Sequence, residues 1–182
     1  MHATPLAIAD VVLLEPRVFE DARGHFYESF NARSFAEAIG RPVEFAQDNQ
    51  SLSRRGVVRG LHYQLDPAPQ GKLIRVVTGE IFDVAVDVRR SSPTYGQWVG
   101  EVLSATNKRQ LWIPAGFAHG FMALADGTEV LYKATDFYNK AAERAIVWND
   151  PQIGIAWPAT VAPVLSDKDA VAPRFADAET FA

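Results

Sequence analysis

The chain has 182 residues, of which 48% are hydrophobic and 22% charged, and a formal net charge of −4. That length suits one domain with a sizeable core, and the balance excludes a disordered chain and a general nucleic-acid binder. The sequence has no cysteine, which excludes disulfides, thiolate catalysis and cysteine-ligated zinc.

In chain order, the opening MHATPLAIADVVLLEP carries Asp10 and Glu15 among its apolar residues and lacks a basic leader. No signal peptide is expected there. No apolar run in the chain approaches the ~18 residues of a spanning helix, so the expectation is a cytoplasmic chain without a membrane partner. The apolar run IADVVLLEP is expected to pair with a sheet edge of a second copy, giving a homodimer. NARSFAEAIG predicts a short helix, with Asn31 as N-cap, Phe35 and Ile39 one turn apart, and Gly40 as the stop. KLIRVVTGEIFDVAVDVRR is rich in Val and Ile, with Phe82, Val84, Val86 and Val88 alternating with Ile81, Asp83, Ala85 and Asp87, and residues 78–80 as a hairpin turn. GQWVGEVLS, KRQLWIPAG, HGFMALA and EVLYKATDFY follow as strands, separated by SSPTYG and ADGT. Many short strands predict an all-β sandwich or barrel. The single domain spans 1–182, with a core over about 45–160. A short helical segment over 166–182 is limited by Pro173.

Charge is unevenly spread. Arg54, Arg55, Arg59, Lys72 and Arg75 face only Asp66 over that stretch. Such a cluster is either a solvated basic face or a local anion site. Histidine is scarce. His62 lies in RGLHYQ and His119 in PAGFAH. Each is a packed core residue, a metal ligand or a base. PAGFAH has the Pro-x-Gly-x-x-His spacing of a second cupin motif. The matching His-x-His is broken, with Gln64 two residues after His62 and Ala68 where a carboxylate would stand. A divalent site needs about three or four protein ligands, so no metal is expected.

Without a metal, His62 suits proton transfer, because a histidine's ordinary pKa of ~6.5 lies near working pH. A base needs an orienting carboxylate, and Asp83, Asp87 and Asp169 are the candidates. Asp169 also fits a capping box with Ser166. Tyr132 is either a half-buried strand aromatic or, if it faces a site, a neutral proton donor at pH 7. Lys72 is either an exposed strand-end lysine or a cation aimed at a developing oxyanion.

FEDARGHFYESFN, FAQDNQS, VVRGLHYQ, QGKLIRVVTGEIFDVAVDVRRSSPTYGQWVG, NKRQLWIPAGFAHGF, YKATDFY, ERAIVWNDPQIGIAWP and LSDKD occur in this order. Together they resemble the dTDP-4-dehydrorhamnose 3,5-epimerase family of the dTDP-L-rhamnose pathway, over nearly the whole chain. The resemblance implies a cupin-like jelly roll of two antiparallel sheets with short flanking helices. It also implies a homodimer, no cofactor and no metal. The implied substrate is the nucleotide sugar dTDP-4-dehydro-6-deoxy-D-glucose, and the implied product is dTDP-4-dehydro-β-L-rhamnose. By resemblance His62 is the base, Asp169 orients it, Tyr132 is the proton donor and Lys72 lies near the enolate oxygen. Arg23, Glu28, Gln47, Asn49, Arg59, His119, Tyr138, Glu143 and Lys168 match substrate-binding positions. Phe137 and Ala145 depart from the family pattern, away from the acid–base set. Two rival readings are a single-centre epimerase of another deoxysugar pathway and a cupin that only binds a nucleotide sugar.

Overall fold

A computed structural model describes residues 1–159 and 162–182. Its strands are β1 (His2–Pro5), β2 (Val12–Glu15), β3 (Phe19–Asp21), β4 (Gly24–Phe26), β5 (Gln47–Ser53), β6 (Val58–Gln64), β7 (Lys72–Thr78), β8 (Glu80–Asp87), β9 (Trp98–Ser104), β10 (Gln110–Ile113), β11 (Phe117–Ala123), β12 (Thr128–Ala134) and β13 (Glu143–Ala145). Two short helices flank them, α1 (Ala32–Ile39) and α2 (Asp167–Ala170). A six-stranded sheet in the order β1-β2-β10-β7-β12-β5 faces a five-stranded sheet in the order β13-β6-β11-β8-β9. Every pairing within both sheets is antiparallel. This is the expected jelly roll.

Alternation along each strand builds the core. Ile74, Val76 and Val130 from one sheet meet Ile81, Ala85, Phe117 and Phe121 from the other in one buried cluster. The outer faces are covered locally. Helix α1 has the expected caps: the Asn31 side chain accepts from Arg33 and Ser34 amides, and Gly40 ends the helix at φ 75°. It buries Phe35 fully against Val12, Leu14, Leu73 and Trp112. Burying a phenylalanine side chain is worth roughly 1.5–3 kcal/mol.

Three expectations are corrected. Residues 78–80 are not a hairpin turn. Strands β7 and β8 belong to different sheets, so Gly79 turns the chain across the sandwich. Its φ of 79°, and a Cβ position only 2.4 Å from Thr128 Oγ1, require glycine there. A turn signal marks a change of direction but not the strand's partner. Second, the run expected to pair with a partner's sheet edge is paired within its own chain. β2 pairs with β1 on one side and β10 on the other, which satisfies its backbone within the chain. Third, the sheets reach beyond the expected 45–160 core, because β1 and β2 complete the six-stranded sheet.

The C-terminal segment is tied down where it matters for the site. Val164 bridges Val57, with the Val58 amide on the Val164 carbonyl at 2.9 Å and the Val164 amide on Gly56 at 2.8 Å. The Val147 amide reaches the Pro173 carbonyl at 2.8 Å. These contacts lay α2 against β6.

Candidate active site

The inward-facing residues of the two sheets line a cavity of about 520 Å³ between them, within the range of small-molecule sites. β12 and β5 supply Tyr132 and Asn49, which are cross-strand partners. β7 supplies Lys72 on the same wall. The facing sheet supplies Arg59 and His62 from β6 and His119 from β11, and α2 adds Lys168 and Asp169. His62 and His119 sit directly opposite each other in the β6–β11 pair. Glycines occupy the crossing where a side chain would not fit: a Cβ on Gly60 would lie 2.6 Å from Gly120 Cα.

Each histidine has its own carboxylate. His62 Nε2 lies 2.6 Å from Asp169 Oδ1, and His119 Nε2 lies 2.7 Å from Asp83 Oδ1. Of the three candidates for orienting His62, the structure selects Asp169. Asp87 is committed to Arg89, Ser92 and Thr94. The capping reading of Asp169 holds in half. Ser166 Oγ accepts from the Asp169 amide at 3.1 Å, while the Asp169 carboxylate turns to His62. Burial pushes the Asp169 carboxyl up, but hydrogen bonds from His62, Ser166 and the Gly60 amide outweigh it and hold it below the usual carboxylate range.

Lys72 is buried, with Nζ donating to the His62 carbonyl at 3.3 Å. Burial lowers its pKa to about 8, against the opposing charges of Asp83 and Glu143. The reading of Lys72 as an exposed strand-end lysine is therefore wrong. Burial pushes the Tyr132 phenol up, with the Arg59 charge opposing it. Tyr132 therefore stays a protonated donor at neutral pH.

The rim is polar. Tyr138 donates to Glu143 at 3.1 Å, and Glu143 pairs with Lys168 at 2.6 Å. Gln47 accepts from the Tyr138 amide at 3.0 Å and donates to Asn49 at 2.8 Å. Gln64 is committed to the chain: its amide group donates to Ala68 and Phe137 carbonyls and accepts from the Asn139 amide. Among the described residues no group of three or more His, Cys, Asp or Glu residues is placed to hold a metal ion.

Not every expected site residue converges. Arg23 lies on the β3–β4 hairpin in a separate surface pocket, paired with Asp21 at 2.5 Å. Glu28 lines a third pocket with Phe19 and Asn31. The basic cluster also divides. Arg54, Arg59 and Lys72 line the cavity, whereas Arg75 lies on the outer face of β7, because alternate residues of a strand point to opposite faces. Ser51 and Phe121 line the cavity and were not singled out in the sequence. The signal for Ser51 was available: it continues the inward series Gln47, Asn49.

The chain matches a family described as dTDP-4-dehydrorhamnose 3,5-epimerase over residues 5–177. The chain belongs to the dTDP-4-dehydrorhamnose 3,5-epimerase family. A curated relative of that name from Pseudomonas aeruginosa is 64% identical, covering 100% of this chain and 99% of the relative. The crystal structure of the Legionella pneumophila dTDP-6-deoxy-D-glucose-3,5-epimerase, in complex with dTDP-4-keto-L-rhamnose, superposes with a TM-score of 0.93. It is 48% identical, over 96% of this chain and 93% of that one. A 3'-monoepimerase from Streptomyces bikiniensis, in complex with dTDP-quinovose, has the same fold at a TM-score of 0.89. It is 38% identical over 97% of this chain and 88% of its own.

Proposed function

We propose that this protein inverts C3 and C5 of dTDP-4-dehydro-6-deoxy-D-glucose, giving dTDP-4-dehydro-β-L-rhamnose. The observation that carries this reading is the placement of an oriented histidine and a protonated phenol on facing walls of one cavity, with a buried lysine beside them. Identity favours the double epimerase over the single-centre one, at 64% against 38%.

The C4 ketone acidifies the hydrogens on C3 and C5. With Asp169 accepting from Nε2–H of His62, the free lone pair is on Nδ1, and that atom is the base. It takes the carbon-bound proton, and the electron pair moves onto the C4 oxygen as an enolate. Lys72 stabilises that oxygen, a contribution worth roughly 3–4 kcal/mol for a well-placed donor. Tyr132 returns a proton from the opposite face and inverts the centre. Arg59 and Lys168 suit the diphosphate. Gln47, Asn49, His119, Tyr138 and Glu143 hold the rest of the substrate. These steps need only side-chain acids and bases and call for no cofactor or metal. NMR of the substrate in D₂O tests the reading. Exchange at both C3 and C5 supports it, exchange at one favours a single-centre epimerase, and none favours a binder.

The same proposal includes a homodimer in the cytoplasm, built from one domain of residues 1–182. Arg23 and Glu28 are matched substrate positions outside the cavity of their own chain. The β3–β4 hairpin that carries Arg23 stands apart from both sheets and exposes Phe19 and Phe26. In a dimer that hairpin serves the partner's site.

A further inference from the structure

Asp83 is a fully buried carboxylate that the proposed chemistry leaves unused. It lies on β8, opposite Phe121 of β11 and diagonal to His119, on the inward face of the five-stranded sheet. Its Oδ1 meets His119 Nε2 at 2.7 Å, and its Oδ2 is buried without a hydrogen-bond partner. A buried carboxylate left half-satisfied is costly. A well-packed apolar residue would fill this position at less cost unless the charge serves a purpose.

We propose that Asp83 is a positioning residue that fixes His119 as the Nε2–H tautomer, so that Nδ1 of His119 presents a hydrogen-bond acceptor to a hydroxyl of the reacting hexose. An ionised carboxylate can only accept, so the ring nitrogen it touches must carry the proton. Nδ1 is then the only polar ring atom that His119 has left for the cavity it lines, and it has no protein partner among the described residues. A neutral ring is favoured as well. Burial pushes His119 down, and the charges of Lys72 and His62 act in the same direction against Asp83. Protonation would make both nitrogens donors and lose the acceptor. The cavity then holds two histidines side by side with the same tautomer and different neighbours. His62 Nδ1 faces a carbon-bound hydrogen, and His119 Nδ1 faces a hydroxyl.

The inference rests on the nucleotide-sugar reading for its ligand, but the tautomer does not. The test is ¹⁵N-histidine NMR of the whole protein, with His119 assigned from the signals missing in His119→Asn. Nδ1 of His119 should resonate as an unprotonated nitrogen in the free protein. It should move on adding dTDP-glucose and stay in place with dTDP alone, which lacks the hexose. Asp83→Asn can donate as well as accept, so it should give a mixed tautomer and a fall of about tenfold or more in kcat/KM. A protonated Nδ1 in the wild-type protein, or an Asp83→Asn protein with unchanged tautomer and turnover, overturns the positioning role. An Nδ1 signal that stays still while other signals show dTDP-glucose bound overturns the acceptor role. Failure of dTDP-glucose to bind at all counts against the substrate reading and leaves the tautomer result to decide the role of Asp83. The wild-type measurement stands even if Asp83→Asn does not fold.

Discussion

His62 and Asp169 lie 107 residues apart in the chain and 2.6 Å apart in the fold. The contact joins β6 to the single turn of α2, and Ser166 caps that turn through its own hydroxyl. Orientation and capping are therefore separate tasks carried by separate atoms. In Asp169→Asn the Ser166 cap survives, but the asparagine can donate to Nε2 and favour the wrong tautomer of His62. Turnover should fall ~10²- to 10⁴-fold with KM little changed. Thermal unfolding should shift only slightly. Near-normal turnover would leave Asp169 with a capping role alone.

Removing the phenol should separate exchange from inversion. In Tyr132→Phe, His62 still takes the proton and returns one from solvent to the same face. Slow deuterium incorporation with retained configuration is expected, with little inverted product. His62→Ala should lose exchange and inversion together. A Tyr132→Phe enzyme that inverts both centres at the wild-type rate would transfer the donor role elsewhere.

Lys72 makes a pH prediction with a defined sign. Its pKa in the fold is about 8, below its ordinary 10.5, because it is buried. Activity that needs the ammonium should fall as pH rises through about 8, giving the basic limb of kcat. Stability runs the other way. Between about 8 and 10.5 the unfolded chain binds the extra proton, so the group's contribution to stability improves as pH rises. Below about 8 the full penalty applies, up to ~3 kcal/mol for a shift of this size. Lys72→Met should therefore be inactive yet more stable than the parent at pH 7, and that advantage should shrink through the same window. Unfolding curves of both proteins at pH 7 and pH 10 check it.

Subunit mixing tests the hairpin. Arg23→Ala and His62→Ala should each be poorly active alone. In a mixed dimer one site has His62 from one subunit and Arg23 from the other. Random exchange of the two variants should restore about one quarter of wild-type activity, since half the dimers are mixed and each has one intact site. No recovery after verified exchange would place Arg23 in the site of its own chain, or outside both.

Gly60→Ala tests the close crossing behind the histidines. The new Cβ would lie 2.6 Å from both Gly120 Cα and the His119 carbonyl, at a backbone φ of 122°. A loss of ~2 kcal/mol or more is expected. Any folded fraction should be poorly active, because β6 and β11 must separate and carry His62 and His119 with them.

Local features were legible in the amino-acid chain alone. Alternation placed the strands, Asn31 and Gly40 bounded α1, and the ordered motifs located His62, Lys72 and Tyr132 near one another in function. These features depend on side-chain direction and backbone preference, which neighbouring residues set. Which residues pair with which depended on the packing of the whole fold. Three aspartates were candidates for His62; the packing of α2 on β6 brings Asp169 to it, while the β8–β11 register sends Asp83 to His119. The turn at residues 78–80 suits a hairpin, but the crossing between sheets that the fold makes there needs the same turn. Arg75 counted with the basic cluster but points away from the cavity, and Arg23 and Glu28 matched the site but stand outside it. Each of these outcomes depends on which distant strand lies alongside, a non-local pairing that residue type and spacing do not encode.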